Sequence, residues 1–164
     1  MSNIRIHEGW LTLKEDNNDH ETIELNGEPI AEELDYISGK VVTVKYYISD
    51  KEGTEEELKE DFLINTLYGN LESDYGACYS EMTGYLWTND NLKIGGHDLR
   101  QELESYIGKY LYLIIEIDEE AEKKKEEQRR LQGYKSALHH LVGMSRSMNK
   151  SFEDVVEDFR TIYK

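Results

Sequence analysis

The sequence predicts an α+β protein: a pseudo-duplicated ββαβ barrel over residues 1–118, followed by a C-terminal helical hairpin over residues 119–164. Three observations predict it. The chain aligns with itself, without a gap, at an offset of 69 residues. Its charge changes abruptly near Asp118. Residues 1–118 hold 26 Asp/Glu against 9 Lys/Arg, a net of −17, and residues 119–164 hold 9 against 10, a net of +1. Beyond Leu131 the apolar residues follow helical spacing.

In the self-alignment Ile23 falls on Leu92 and Leu25 on Ile94, and Asn26-Gly27 falls on Gly95-Gly96. Ile30, Glu33-Leu34 and Gly39-Lys40 fall on Leu99, Glu102-Leu103 and Gly108-Lys109. Ile23 and Leu25 alternate like a short strand, and the dipeptide after them reads as a tight turn. Pro29 suits a first helical turn. Ile30, Leu34 and Ile37 then share one helical face, as do Leu99, Leu103 and Tyr106. Gly39 and Gly108 stand where a helix hands over to a strand. Val42, Val44, Tyr46 and Ile48 alternate, as do Leu111, Leu113, Ile115 and Ile117. Earlier in each unit, Gly9-Trp10-Leu11 resembles Gly84-Tyr85-Leu86, which leaves the second copy about six residues short in the polar loop Glu15–His20.

Two such units can close into a barrel that buries both apolar faces and removes exposed edges, and an open two-layer α+β sheet is the alternative. Over residues 9–118 the element order resembles the duplicated barrels of the cradle-loop group, which includes double-psi and RIFT barrels. Between the copies, Thr54-Glu55-Glu56-Glu57 forms a capping box. Phe62–Tyr68 is expected as a strand, with continuation of the helix that this box opens as the alternative, and Tyr75, Tyr79, Tyr85 and Trp87 give the next stretch a sheet-like character.

The tail begins as a charged helix, Glu119–Leu131. Leu131, Tyr134, Leu138, Leu141 and Val142 continue at helical spacing, and Gly143 and Asn149 bracket a loop. Ser151 with Asp154 opens a last helix carrying Phe152, Val155, Val156, Phe159 and Ile162. This pair covers the barrel, joins two copies in a homodimer, or touches DNA. Lys123-Lys124-Lys125 and Arg129-Arg130 favour DNA contact, but the interleaved Glu122, Glu126 and Glu127 favour pairing along a solvated helix.

No apolar run is long enough to cross a bilayer, and Met1–Ile6 lacks the apolar stretch of a signal peptide. A single Cys78 excludes an internal disulfide and a multi-cysteine metal site. The expectation is a soluble cytoplasmic protein without cofactor or metal. Nucleic-acid phosphates and anionic membranes should be repelled by residues 1–118 and basic surfaces attracted.

Gly95-Gly96-His97-Asp98 is the most enzyme-like segment, with a glycine turn, an ionisable His and an Asp at a helix start. It is the alternative ligand pocket, although Asp98 or His97 can equally cap the helix. Glu28-Pro29 holds the same places in the first copy. His139-His140 point about 100° apart on a helix and do not chelate zinc as an i,i+4 pair does. No phosphate-binding loop, dinucleotide-binding glycine pattern or serine elbow is present. No catalytic residue is assigned.

The acidic residues carry the main expectation. Asp50, Glu52, Glu55, Glu56, Glu57, Glu60 and Asp61 form the densest run, followed by Glu72 and Asp74. Carboxylates spaced over a rigid barrel can imitate a phosphate backbone, and Tyr75 and Tyr79, with Tyr68, are candidate aromatic anchors. The expected partner is a basic nucleic-acid-handling protein such as a nuclease. Direct nucleic-acid binding is disfavoured outside the tail.

Tyr79–Trp87 leading into Lys93–Leu99 resembles small proteins of phages and mobile elements. The resemblance implies a counter-defence setting inside a bacterial host, where small acidic inhibitors of CRISPR nucleases occur. It assigns no role to any residue.

Overall fold

The computed structural model describes residues 3–15, 21–53, 57, 63–82 and 84–162, without the side chains of 63, 77–80, 85–87, 159 and 162. The chain divides into two compact units, Met1–Glu119 and Glu120–Lys164.

The first unit is an eight-stranded antiparallel sheet curled into a half-barrel. Its elements are β1 (Ile4–Glu15), β2 (Glu21–Leu25), β3 (Glu28–Pro29), α1 (Ile30–Leu34), a 3-10 turn (Asp35–Ile37) and β4 (Val41–Ser49). They continue with β5 (Leu63–Ser80), β6 (Tyr85–Ile94), β7 (His97–Asp98), α2 (Leu99–Glu104) and β8 (Tyr110–Ile117). The strand order is β3-β2-β1-β8-β4-β5-β6-β7. It reads the same from either end once β1–β4 are exchanged with β5–β8.

The turn chemistry is local. Asn26-Gly27 and Gly95-Gly96 have φ values of 54°, 90°, 58° and 85°, a pair of left-handed residues in each case, as a two-residue hairpin requires. The Gly-Lys steps act over longer range. Gly108 N donates to Leu11 O and Leu11 N to Lys109 O, at 2.8 and 2.9 Å. Gly39 N donates to Leu71 O and Leu71 N to Lys40 O, at 2.7 and 2.8 Å. Each Gly-Lys step therefore clamps one leucine.

Those bonds fall on Leu11 and Leu71, whereas the self-alignment sets Leu11 against Leu86. Leu11 and Leu71 occupy matching places, and Gly9 faces Leu111 as Gly69 faces Val42. Gly84 instead lies in the turn before β6. The second hairpin is also the longer one, since Leu11 pairs with Leu25 but Leu71 pairs with Ile94.

The core fills the concave face with Leu11, Ile23, Leu25, Val42, Val44, Leu111 and Leu113, roofed by Ile30, Leu34, Leu99 and Leu103 from the helices. A closed barrel is the first expectation and an open α+β sheet the alternative; among the described residues β3 and β7 end the sheet. Side chains bridge from β2 to the other end. Asp90 of β6 accepts from Arg100 Nε at 3.0 Å, and Arg100 donates to Glu21 O at 2.7 Å. The Asp90 side chain is 6% exposed, so Arg100 offsets the cost of burying its charge.

The second unit has a long helix, α3 (Glu119–Met148), and a short one, α4 (Phe152–Ile162). The expected break at Gly143 is absent; α3 runs through it. One interior glycine costs only about 1 kcal/mol relative to alanine, so the helix stops later, at Asn149 with φ 52°. Ser151 caps α4 as expected, accepting from Asp154 N at 3.2 Å and donating to Asp154 Oδ2 at 2.7 Å. No residue of α3 is buried, and Leu131, Tyr134 and Leu138 are exposed. Among the described residues, no helix is long and apolar enough to cross a membrane.

Candidate functional site

Three places bear on function: the Gly95–Asp98 turn, the acidic surface, and the outer face of the central strands.

At the turn the structure uses both polar side chains internally. Asp98 Oδ1 accepts from Gln101 N at 3.0 Å and so caps α2. His97 Nε2 is bonded to Glu102, and Tyr46 donates its hydroxyl to the same carboxylate. Burial raises the Glu102 carboxyl, but hydrogen bonds from Tyr46 and His97 outweigh it and hold the group below its usual 4.5. Burial first, then the Glu102 bond, push the Tyr46 phenol well above its usual 10.0. Tyr46 is fully buried. This Tyr–Glu–His set ties β4, β7 and α2 together. Gly95 lies against Gly69, where backbone meets backbone. His7 of β1 pairs with Glu33 next to α1's last residue at 3.2 Å; Glu33 and Glu102 are the acids that the self-alignment superposes. Its signal in the sequence was the repeated Glu-Leu step, but nothing there joined Glu102 to Tyr46.

The acidic residues are spread over several elements. Asp50 follows β4 and pairs with Lys109, and Glu52 and Glu57 are exposed. Glu72 and Asp74 point outward from β5, where Asn89 donates to Asp74. Glu55, Glu56, Glu60 and Asp61 lie outside the described residues, as does the capping-box residue Thr54. Tyr75 is half-buried and packs against the core, so it is not an exposed anchor. Its neighbours Leu71 and Ser73 share the inward side of β5, which is why it turns in. The Tyr79 side chain is not among those described. Tyr68 is exposed and donates to Asp118 at 3.0 Å. His139 and His140 are exposed on α3. Among the described residues no group of three His, Cys, Asp or Glu could hold a metal.

The outer face of β1, β8 and β4 is a feature that the sequence reasoning missed. Paired residues share a face. Ile4 lies beside Glu116, Ile6 beside Ile114, Glu8 beside Tyr112 and Trp10 beside Tyr110. Tyr112 in turn lies beside Tyr47. The Tyr47 and Tyr112 rings meet edge-on at 6.3 Å, and Trp10 and Tyr110 at 5.6 Å. The two tyrosines, 6% and 5% exposed, form a second apolar cluster with Ile114 on the side opposite the core. The alternation Ile4, Ile6, Glu8, Trp10 was visible in the sequence, but which side faced the core was not.

Comparisons with protein-family models, curated proteins and solved structures give no match to this chain.

Proposed function

We propose that this chain is a non-enzymatic binding protein that inhibits or modulates a basic, nucleic-acid-handling partner, such as a nuclease, through the acidic surface of its sheet unit. The observation that carries the proposal is the net of −17 over residues 1–118, set by 26 acids and 9 bases. Three of those bases, Lys14, Arg100 and Lys109, already pair with acids. Exposed carboxylates at Glu8, Glu28, Glu32, Asp35, Glu72 and Glu116 are distributed over both halves of the sheet unit. Such a field speeds encounter with a basic surface and repels nucleic acid. The matching Gly-Lys clamps and the symmetric strand order support reading the sheet unit as a duplicated one, and a relation to cradle-loop barrels belongs to the same proposal. A phage counter-defence setting belongs to the same proposal.

The test is retention of host proteins on the immobilised full chain across a salt titration. A nuclease, polymerase or repressor should be retained at low salt and released as ionic strength rises. If no nucleic-acid-handling protein is retained even at low salt, the proposal fails. A second reading, a regulator that dimerises through its tail, is favoured by the exposed Leu131, Tyr134 and Leu138. Sizing of the full chain and of a Leu131→Glu/Leu138→Glu variant separates the two.

A further inference from the structure

We infer that the outer face of β1 and β8 is the docking surface for this partner, and that it takes a basic amphipathic helix. The inference rests on the acidic-binder reading and names its site.

The first ground is the apolar strip. An antiparallel sheet with one face on a core ordinarily turns polar residues to the other side. Here Ile4, Ile6 and Trp10 are 47%, 48% and 39% exposed on that other side. They flank the half-buried Ile114, while Tyr47, Tyr110 and Tyr112 beside it are already buried, so the exposed strip is carried by the β1 side chains. Aromatic and aliphatic anchors on a rigid floor are what binding hot spots use.

The second ground is charge. Glu116 sits beside Ile4, and Glu8 lies between Ile6 and Trp10 on the same side of β1. Glu52 is close enough to the Tyr110 phenol to help raise its pKa, after burial and Glu8. Against these carboxylates stands Lys45, beside Ile114. An apolar strip that Glu8 interrupts, with a carboxylate rim at Glu116 and Glu52, complements a segment that presents aliphatic side chains with Lys or Arg among and beside them. An acidic membrane surface or nucleic acid is repelled by the same rim.

The third ground is length. From Ile4 to Trp10 the strip runs about 20 Å at roughly 3.4 Å per strand residue. Four turns of helix, about 14 residues, cover the same distance.

The experiment titrates the full chain with a 15-residue Leu/Lys peptide of amphipathic order, and with the same composition scrambled, at low salt. The expected result is that the ordered peptide binds at least ten-fold more tightly than the scrambled one. Ile4→Ser/Ile6→Ser should weaken the ordered peptide at least ten-fold, equivalent to about 1.4 kcal/mol, and leave the scrambled peptide unchanged. Glu8→Lys/Glu116→Lys serves as an independent variant should the serine pair fail to fold, and should weaken the ordered peptide by a similar factor. Equal binding of both peptides, indifferent to the variants, overturns the docking face and leaves the acidic-binder reading standing. Failure of both peptides to bind at low salt overturns both.

Discussion

Replacing Gly69 with alanine should destabilise the sheet unit more than any other single-methyl addition on β5. Gly69 has φ 145°, a region that costs a side-chain-bearing residue about 1–3 kcal/mol. A Cβ there would lie 2.9 Å from the Gly95 nitrogen and closer still to the Gly95 Cα. Both are backbone atoms. Gly95 cannot retreat freely, because its N–H donates to Asn70 O at 2.9 Å and its φ of 58° holds the β6–β7 turn. Forcing a methyl into such a contact adds about 1–3 kcal/mol. The expected loss is about 2–6 kcal/mol, a large part of the 5–15 kcal/mol typical of a domain. Urea denaturation followed by far-UV circular dichroism measures it through the linear dependence of stability on denaturant. Gly76 on the same strand is the control. Its Cβ would meet nothing within 4 Å, and its φ is not in the left-handed region, so alanine there should change stability by no more than about 0.5 kcal/mol. A Gly69→Ala loss below about 1 kcal/mol would refute the argument that β5 and the turn meet backbone to backbone.

Asp98→Ala removes the α2 cap and should cost about 1 kcal/mol in the same melt; a site role instead predicts lost binding at unchanged stability. Arg100→Ala leaves the Asp90 carboxylate buried without its cation and should cost about 2–4 kcal/mol, whereas Arg100→Ala on an Asp90→Asn background should cost clearly less. Acid should weaken the sheet unit through Glu102. Its folded carboxyl is held below its usual 4.5, so the stabilisation is present above that value and fades as pH falls through the folded pKa. Melting temperature measured from pH 6 to pH 3 should drop less steeply in Glu102→Gln than in the natural chain, and parallel curves would sink the idea.

Much of the fold was legible in the sequence because its signals are local. Asn26-Gly27 and Gly95-Gly96 specify tight turns by themselves, since few residues tolerate two successive positive φ angles. The alternation of Val42, Val44 and Ile48, and of Leu111, Leu113 and Ile115, identifies strands whose inward residues are buried. Ser151 with Asp154 marks a helix start for the same local reason. The membership of the first strands was not legible. Gly9-Trp10-Leu11 matches Gly84-Tyr85-Leu86 by residue type, yet Leu71 is the residue clamped by Gly39 and Lys40. A sequence match compares side chains, whereas these clamps are made by backbone groups that almost any residue supplies.

The candidate sites divide in the same way. Asp98 as a cap follows from its position before Leu99, and the sequence predicted it beside the pocket alternative. The sequence by itself also determined the −17 charge over residues 1–118, because charge is additive along a chain whatever its shape. Tertiary structure alone decided that Tyr46 would meet Glu102, 56 residues away, and that Arg100, paired with Asp90, would reach Glu21 O across the open end of the sheet. It alone decided that Ile4, Ile6 and Trp10 would stand on the outer side beside Ile114 and Tyr110. A strand's alternation defines two faces, and only pairing with β8 determines which of them the core covers.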